Sequence, residues 1–406
     1  MKKAVAFLLV FCMIMLVPSG ALASDYAVVT NTAVDAENEI SDDTPVSAQF
    51  SSDGIDALSA ILIEQSTGRV LFEYNADEAL PPASVTKTMT MLLVLEAIDG
   101  GMIKLDDVVT VSDNAASMGG SQVFLEPGEQ MDVDTLLKCM IVASANDAAV
   151  ALAEYVAGSE ATFVDRMNAR LKELGCTSSN FENATGLDDT VNNHVMSARD
   201  IATISAEILK HPKVLEYTTI WMDTIRNGEF GLTNTNRLIR FYDGATGLKT
   251  GSTAKAKFCI SATAERNGLS LIAVVMGSST RDARNELAKE MLDYGFANYA
   301  CFKKEAADMG TVQVKGGVAP SVAVASTPFS AVVDKAEAGK IEEVVDIPDV
   351  VAAPVKSGDK IGTITYKSGD NVIGTADIVA AADVDKISYF TLLPKIFRWF
   401  IMAPES

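Results

Sequence analysis

Residues 82–95 have the sequence PASVTKTMTMLLVL, and this stretch decides which fold the chain can adopt. A proline just before a segment is typical of a helix start. The run 89–95 is too uniformly apolar for a surface helix, so it predicts a helix that is buried on most sides. Ser84 and Lys87 are one turn apart, so a serine and a lysine are expected side by side where a buried helix begins.

That pair has the chemistry of a nucleophile and its base. A serine hydroxyl is a weak nucleophile until a base removes its proton. Histidine is the usual base, but the chain contains only His194 and His211, so a lysine is a natural alternative. Burial lowers the pKa of a lysine and lets it act as a neutral base. A helix N-terminus also favours negative charge developing on Ser84.

A second motif, Ser144-Ala145-Asn146, lies between two helical patterns at residues 136–142 and 148–156. One interpretation is a plain turn between helices, with Asn146 or Asp147 as the N-cap. The other is functional: the Ser144 hydroxyl relays a proton and the Asn146 amide contacts a substrate backbone.

A third motif, Lys249-Thr250-Gly251, precedes two apolar runs that are separated by Asn267-Gly268. Asn-Gly between apolar runs predicts a hairpin, so the motif is expected on a strand of an antiparallel sheet. Because Gly251 has no side chain, a substrate backbone can lie close to that strand. Lys249 and Thr250 can hold a carboxylate, while a purely structural strand lysine is the alternative.

Each motif alone is weak, because S-x-x-K also occurs at 252–255 and 357–360 and Ser-x-Asn at 112–114 and 178–180. The order of the three motifs and their predicted elements select one set. S-x-x-K, S-x-N and K-T-G together are typical of active-site serine enzymes that open peptides or β-lactams.

These motifs, with the flanking strings Ser197-Ala198-Arg199-Asp200 and Gly247-Leu248, resemble the low-molecular-mass penicillin-binding proteins, the serine-type D-alanyl-D-alanine carboxypeptidases. The resemblance spans roughly residues 55–300 and continues toward the C-terminus. It implies an α/β (α+β) catalytic domain, β-lactamase- or transpeptidase-like, with an antiparallel sheet flanked by helices. It also implies a peptidoglycan stem peptide ending in D-Ala-D-Ala as substrate, β-lactams as covalent inhibitors, and no cofactor or metal.

The resemblance further implies a role for each motif residue. Ser84 attacks the carbonyl of the penultimate D-alanine, Lys87 takes its proton and Ser144 passes a proton to the leaving amine. Asn146 binds the peptide amide, and Lys249 and Thr250 meet the terminal carboxylate beside Gly251. Backbone N–H groups of Ser84 and Ser252 hold the oxyanion, and such preorganised donors are often the largest catalytic term.

Two positions depart from the family pattern. Ser252 stands where relatives often carry a larger ring side chain, and Thr235 stands where some relatives carry a carboxylate-binding arginine. Arg237 and Arg240 are nearby substitutes, or simple surface charges.

The ends of the chain predict export and a membrane surface. Lys2-Lys3, an apolar run at 4–17 and Ala21-Leu22-Ala23 form a secretory signal over residues 1–23, the run being short for a retained span. Residues 24–52 are predicted as a flexible acidic leader, 53–302 as the catalytic domain and 305–385 as a small all-β spacer. Residues 386–406 predict an amphipathic helix lying on lipid, or packed on a domain or partner. The enzyme is expected at the outer face of the cytoplasmic membrane.

The charge and the cysteine spacing argue against a nucleic-acid-binding protein and against a cysteine metal site. With 54 acidic and 33 basic residues the net charge is −21, which disfavours nucleic acid as a partner. The cysteines left after signal cleavage have no metal-like spacing and predict no particular disulfide; they are Cys139, Cys176, Cys259 and Cys301.

The sequence leaves three rival functions. A class A β-lactamase needs a carboxylate within E-x-x-L-N, which Glu182-Asn183-Ala184-Thr185 lacks. A peptidoglycan DD-endopeptidase shares the catalytic residues and differs in how it binds its substrate. A non-catalytic wall-binding or spore-coat scaffold would not need intact motifs. The preferred stem peptide, the period of the cell's life in which the enzyme acts and the oligomeric state stay open.

Overall fold

The computed structural model describes residues 50–189, 191–390, 392–393 and 396–397. The predicted signal segment, the predicted leader up to residue 49 and much of the predicted tail lie outside these residues.

The catalytic domain is built on a five-stranded antiparallel sheet, with the strand order β2-β1-β9-β8-β7. Two short hairpins accompany it, formed by β3 with β4 and by β5 with β6. The strands are β1 Ser59–Glu64, β2 Val70–Tyr74, β3 Val108–Thr110, β4 Gln130–Asp132, β5 Met222–Ile225, β6 Phe230–Thr233, β7 Ala245–Thr253, β8 Lys257–Arg266 and β9 Leu269–Ser278.

The predicted hairpin at Asn267-Gly268 is confirmed, because these two residues connect β8 to β9. Both have positive φ, 52° and 75°, as a two-residue type I′ turn requires. The third motif lies on a strand of the antiparallel sheet, as the sequence predicted; this strand is β7, at the edge of the sheet.

Helices cover both faces of this sheet. They are α1 Lys87–Asp99, α2 Asp113–Ala116, α3 Val133–Val142, α4 Asn146–Ala157, α5 Glu160–Glu173, α6 Ala198–Ile208, α7 Leu215–Thr218, α8 Leu238–Phe241 and α9 Arg281–Asn298. Short 3₁₀ turns occur at Ala83–Thr86, Pro212–Val214 and Arg226–Gly228.

The alternation of side chains along the strands divides the interior into two cores. In β1, Ile61 and Ile63 face a large core shared with helix α1, while Ala60 and Leu62 face a second core closed by α9. The predicted burial of the helix after Ser84 is confirmed, since even Lys87 is fully buried. The nucleophile turn is thus fixed at the end of a helix that cannot move without disrupting the main core.

A separate all-β unit follows the catalytic domain. Its six-stranded sheet has the order β14-β16-β17-β12-β11-β15, while β10 pairs with β13. The elements are β10 Tyr299–Lys304, β11 Asp308–Lys315, β12 Ser321–Ser326, β13 Phe329–Asp334, α10 Lys335–Ala338, β14 Ile341–Asp346, β15 Val350–Ala352, β16 Lys360–Ser368 and β17 Asn371–Ala380. Ile364 and Tyr366 are both buried in its core, so they share one face as predicted.

Two predicted boundaries fall at different places in the structure. Strand β10 begins at Tyr299 and pairs with β13, so the predicted end of the catalytic domain at 302 lies inside a strand of the C-terminal unit. Phe50 packs on Phe72 and Tyr294, so the end of the predicted leader belongs to the packed domain.

The described residues of the predicted tail helix expose large apolar side chains. Tyr389 is 74% and Phe390 85% accessible, and Phe397 is 67% accessible. In the described part of the chain, no helix combines the length and the hydropathy needed to span a bilayer.

Candidate active site

The structure places the predicted nucleophile and its lysine together. Ser84 lies in the 3₁₀ turn that leads into α1, and Lys87 Nζ is 3.1 Å from Ser84 Oγ. Lys87 Nζ also lies 2.5 Å from Asn146 Oδ1 and 3.0 Å from the carbonyl oxygen of Thr185. The first two motifs therefore meet at a single buried amine, although they are far apart in sequence.

The hydrogen-bonding partners of Lys87 suit a neutral amine as well as an ammonium. A neutral amine has two N–H donors and one lone pair, whereas an ammonium has three donors. The Asn146 and Thr185 oxygens only accept, and the Asn146 amide nitrogen is oriented by donating to Gly119 O at 2.6 Å. When Lys87 is neutral, its two N–H groups serve these two oxygens and its lone pair is left for the Ser84 hydroxyl at 3.1 Å, as a general base requires.

Burial favours that neutral state. Desolvation lowers the pKa of Lys87 well below its usual value, the positive charge of Lys249 lowers it further, and the negative charge of Asp147 opposes both effects. Asp147 itself is fully buried and accepts hydrogen bonds from Val123 N and Leu125 N. The same carboxylate thereby holds the loop that carries Ser121 against the start of α4.

Ser144 occupies the turn between α3 and α4, as the sequence predicted. Its φ of +63° is unusual for a residue with a side chain and marks local strain of the kind found at functional sites. Lys249 Nζ donates to Ser144 Oγ at 2.8 Å and to Thr250 O at 2.9 Å. The sequence predicted only that Lys249 contacts a substrate carboxylate. The structure adds that its amine already donates a hydrogen bond to Ser144.

The pKa of Lys249 is lowered to about 7, first by its complete burial and then by the charge of Arg284. Near neutral pH this amine therefore exchanges readily between charged and neutral forms. Thr250 Oγ1 donates to Thr235 Oγ1 at 2.8 Å, so the residue that stands in place of an arginine orients the motif threonine.

Gly251 lies where strand β7 passes against the nucleophile turn. A side chain there would bring its Cβ within 2.6 Å of Pro82 O and 2.9 Å of Ser84 N. Only glycine permits this approach. Strand β7 therefore packs directly against the turn that carries Ser84, and the pair of oxyanion donors, Ser84 N–H and Ser252 N–H, stays a prediction.

A cleft of about 580 Å³ opens beside these groups. Predicted site residues that line it are Ser84, Ser144, Thr250, Gly251 and Ser252, and other lining residues include Ser121, Trp221, Thr235, Arg237, Phe241, Arg281 and Arg284. The described lining residues include three arginines and no acidic side chain. The cleft therefore suits an anionic ligand, although the chain as a whole is strongly acidic.

Sequence reasoning missed Arg284. This side chain is 2% exposed, donates to Cys259 O and Asn285 Oδ1, and forms no salt bridge with a described carboxylate. It lies near the N-terminus of α9, where a cation opposes the helix dipole. An arginine in the first turn of a predicted helix is electrostatically unfavourable, and this was the feature of the sequence that could have pointed to a function for Arg284. Arg240, one of the two suggested substitutes, instead stacks over Trp221 and Phe241.

Glu182 does not take the place of a β-lactamase carboxylate. Its Oε2 accepts the backbone N–H groups of Asn192 and Asn193, and it does not line the cleft. The described residues also contain no group of three or more His, Cys, Asp or Glu side chains that could hold a metal ion, and the four described cysteines are free thiols.

Comparisons with known proteins agree with this geometry. A family model described as D-alanyl-D-alanine carboxypeptidase matches residues 46–280, and a second, described as the C-terminal domain of penicillin-binding protein 5, matches residues 299–386. The chain is 42% identical over 347 residues to the D-alanyl-D-alanine carboxypeptidase DacF of Bacillus subtilis, covering 84% of this chain and 89% of that one.

Solved structures give the same result. Penicillin-binding protein 5 of Haemophilus influenzae superposes with a TM-score of 0.71 at 30% identity, covering 83% of this chain and 100% of that one. The ampicillin-bound form of penicillin-binding protein D2 from Listeria monocytogenes gives a TM-score of 0.56 at 32% identity, with 61% and 100% coverage. With its catalytic motifs assembled in one cleft and a matching C-terminal domain, the chain belongs to the D-alanyl-D-alanine carboxypeptidase family.

Proposed function

We propose that this protein removes the terminal D-alanine from peptidoglycan stem peptides through an acyl-enzyme on Ser84. The observation that carries the proposal is the buried Lys87 amine, 3.1 Å from Ser84 Oγ, with its pKa depressed by desolvation. Membership of the carboxypeptidase family supports the reaction class. The arginine-lined cleft supports a substrate with a free carboxylate.

The reaction follows from the contacts in the cleft. Lys87 takes the Ser84 proton as Oγ attacks the carbonyl carbon of the penultimate D-alanine. The backbone N–H groups of Ser84 and Ser252 stabilise the oxyanion that develops. Ser144 accepts a hydrogen bond from Lys249, so its own O–H is free to protonate the leaving amine. Ser144 regains its proton from Lys87, which thereby returns the proton taken from Ser84 and becomes neutral again. Water then hydrolyses the ester and releases the shortened peptide.

Substrate binding uses the remaining motif residues. Asn146 is held between Lys87 and Gly119 and contacts the peptide amide. Thr250 and Arg284 bind the terminal carboxylate. The positive charge of Lys249, which is buried next to Thr250, adds electrostatic attraction. Arg284 is suited to this role because it is buried, cationic and, within the described part of the chain, has no acidic partner.

The direct test is release of D-alanine from a peptide that ends in D-Ala-D-Ala, using the purified mature protein. Ser84→Ala should abolish both this release and covalent labelling by fluorescent penicillin. Ser357→Ala, in another S-x-x-K string that lies outside the cleft, is the matched control and should behave as wild type. Labelling that persists in Ser84→Ala would place the nucleophile elsewhere.

The same site is proposed to bind β-lactams as long-lived acyl-enzymes. No acidic side chain is among the described residues that line the cleft, so none is placed there to activate a deacylating water. We expect the penicilloyl enzyme to persist after removal of free penicillin. Rapid turnover of penicillin would instead favour the β-lactamase alternative.

We also propose that the mature protein is exported and lies on the outer face of the cytoplasmic membrane through its C-terminal segment. The lysine-led apolar N-terminus supports export, and the exposed Tyr389, Phe390 and Phe397 support contact with lipid. Truncation after Asp385 should leave activity on soluble peptide intact and release the protein from membranes. Membrane retention by the truncated protein would refute the anchor.

A further inference from the structure

A buried histidine outside the three motifs connects the nucleophile turn to a neighbouring loop. His194 is 4% exposed, and its Nε2 lies 2.7 Å from Oγ1 of Thr86, the residue just before Lys87. Its Nδ1 accepts a hydrogen bond from the backbone N–H of Glu182 at 3.1 Å. The ring therefore links two segments that flank the catalytic lysine.

These contacts determine the tautomer. A backbone N–H can only donate, so Nδ1 must carry a lone pair and the ring proton must be on Nε2. Nε2–H then donates to Thr86 Oγ1. Both ring nitrogens are satisfied only while the ring is neutral, because protonation would set Nδ1–H against the Glu182 N–H.

The loop held in this way supplies a ligand to the catalytic base. Residues 182–187 follow directly from the Glu182 contact, and the carbonyl oxygen of Thr185 accepts from Lys87 Nζ at 3.0 Å. The fit is tight, since a side chain on Gly186 would overlap the carbonyl of Ala83. Asn183 Oδ1 accepts from Thr185 N and Gly186 N and gives the loop its shape. The loop can thus deliver its carbonyl only when it is seated against the nucleophile turn.

We propose that His194 is a positioning residue for Lys87: by joining Glu182 to Thr86 it seats the 182–187 loop, which directs the Thr185 carbonyl to the base and keeps water away from it. This inference rests on the proposed role of Lys87 as the general base. His194 does not contact the substrate; it acts through the loop.

The charges around both groups determine the direction of the effect. Lys87 is faced by Lys249, which lowers its pKa, and by Asp147, which raises it, but desolvation is the largest influence. Burial likewise lowers the pKa of His194 to about 4, with Glu182 and Asp188 opposing and Lys255 assisting. His194 is therefore neutral near pH 7. Loosening the loop would admit water, reduce the desolvation of Lys87 and raise its pKa.

The test is the pH profile of acylation by a fluorescent penicillin in His194→Leu and His194→Gln. We expect His194→Leu to move the acidic limb upward by about one pH unit, which slows acylation about tenfold on the acidic side. The KM for peptide should change little, because no substrate contact is lost. Glutamine can accept from Glu182 N–H and donate to Thr86 Oγ1, so His194→Gln should restore the wild-type limb.

A destabilising control separates positioning from general damage. Asp200 is buried and accepts hydrogen bonds from Ser178 N and Ser179 Oγ, and it is not among the hydrogen-bond partners of Lys87, so Asp200→Asn should lower the melting temperature without moving the acidic limb. If His194→Leu does not fold, Thr86→Val removes the same link and should give the same upward shift.

An unchanged limb in a folded His194→Leu or Thr86→Val protein would overturn the proposal. Failure of the proposed function is distinguishable from this outcome, because it would appear as penicillin labelling that persists in Ser84→Ala.

Discussion

Arg284→Met tests how the cleft recognises the substrate carboxylate. Methionine keeps much of the volume of this buried side chain and removes its charge and its donors. A hydrogen bond to a charged group contributes about 1.5–3 kcal/mol, which corresponds to about 10- to 150-fold in kcat/KM. That loss should apply to a peptide ending in a free D-Ala carboxylate and be much smaller for the same peptide with a C-terminal amide.

The neighbouring lysine adds a pH dependence to this loss. The charge of Arg284 helps to hold the pKa of Lys249 near 7, so its removal raises that pKa. Lys249 is then more fully charged at neutral pH and compensates partly for the missing arginine. The defect in Arg284→Met should therefore be smaller at pH 7 than at pH 9.

The assay is D-alanine or D-alaninamide release from the paired peptides, measured from pH 6 to 10. Arg240→Met is the control, because Arg240 stacks on Trp221 and Phe241 and does not line the cleft. An Arg284→Met enzyme that keeps the wild-type preference for acid over amide would refute the assignment of Arg284 to the carboxylate.

Three other outcomes follow from the packing. Gly251→Ala should strongly reduce penicillin labelling while the protein stays folded, because the new Cβ would meet Pro82 O at 2.6 Å and Ser84 N at 2.9 Å; normal labelling kinetics would contradict this contact. Leu92→Ala, at a fully buried position of α1, should lower the free energy of unfolding by about 2–5 kcal/mol in chemical denaturation, and a loss below 1 kcal/mol would be inconsistent with a core position. The pKa of His194 is about 4 when folded and near its ordinary value when unfolded, so the unfolded state binds the proton first as the pH falls and stability drops between about pH 6.5 and 4. The melting temperature of His194→Gln should fall less across that window, and parallel curves for the two proteins would contradict the assignment.

Local chemistry explains why much of the fold could be predicted. The apolar run after Ser84 has no polar face, so its helix had to be buried, and Asn267-Gly268 supplied the turn that pairs β8 with β9. The capping serine of α6 is Ser197, whose hydroxyl accepts the Asp200 N–H, as its S-x-x-D spacing predicts. These features depend on residues within one or two turns of each other, which is the range over which a single sequence is informative.

The domain ends could not be placed in the same way. Phe50 packs into the catalytic domain and Tyr299 starts a strand of the C-terminal unit because of partners about 20 to 240 residues distant along the chain. The polar composition before Phe50 and the apolar periodicity near Tyr299 are local features, so they do not predict which distant residues these two side chains pack against.

The sequence by itself determined the reaction class, because the three motifs in order identified Ser84, Lys87, Ser144 and Lys249 as the residues of the catalytic site. Only the tertiary structure decided how those groups act. It brought the Thr185 carbonyl to Lys87, paired Lys249 with Ser144 and put Arg284 in the cleft. The physical reason is that a pKa and a hydrogen-bond geometry depend on burial and on neighbours roughly 35 to 105 residues away in the chain, and those neighbours are set by packing rather than by local pattern.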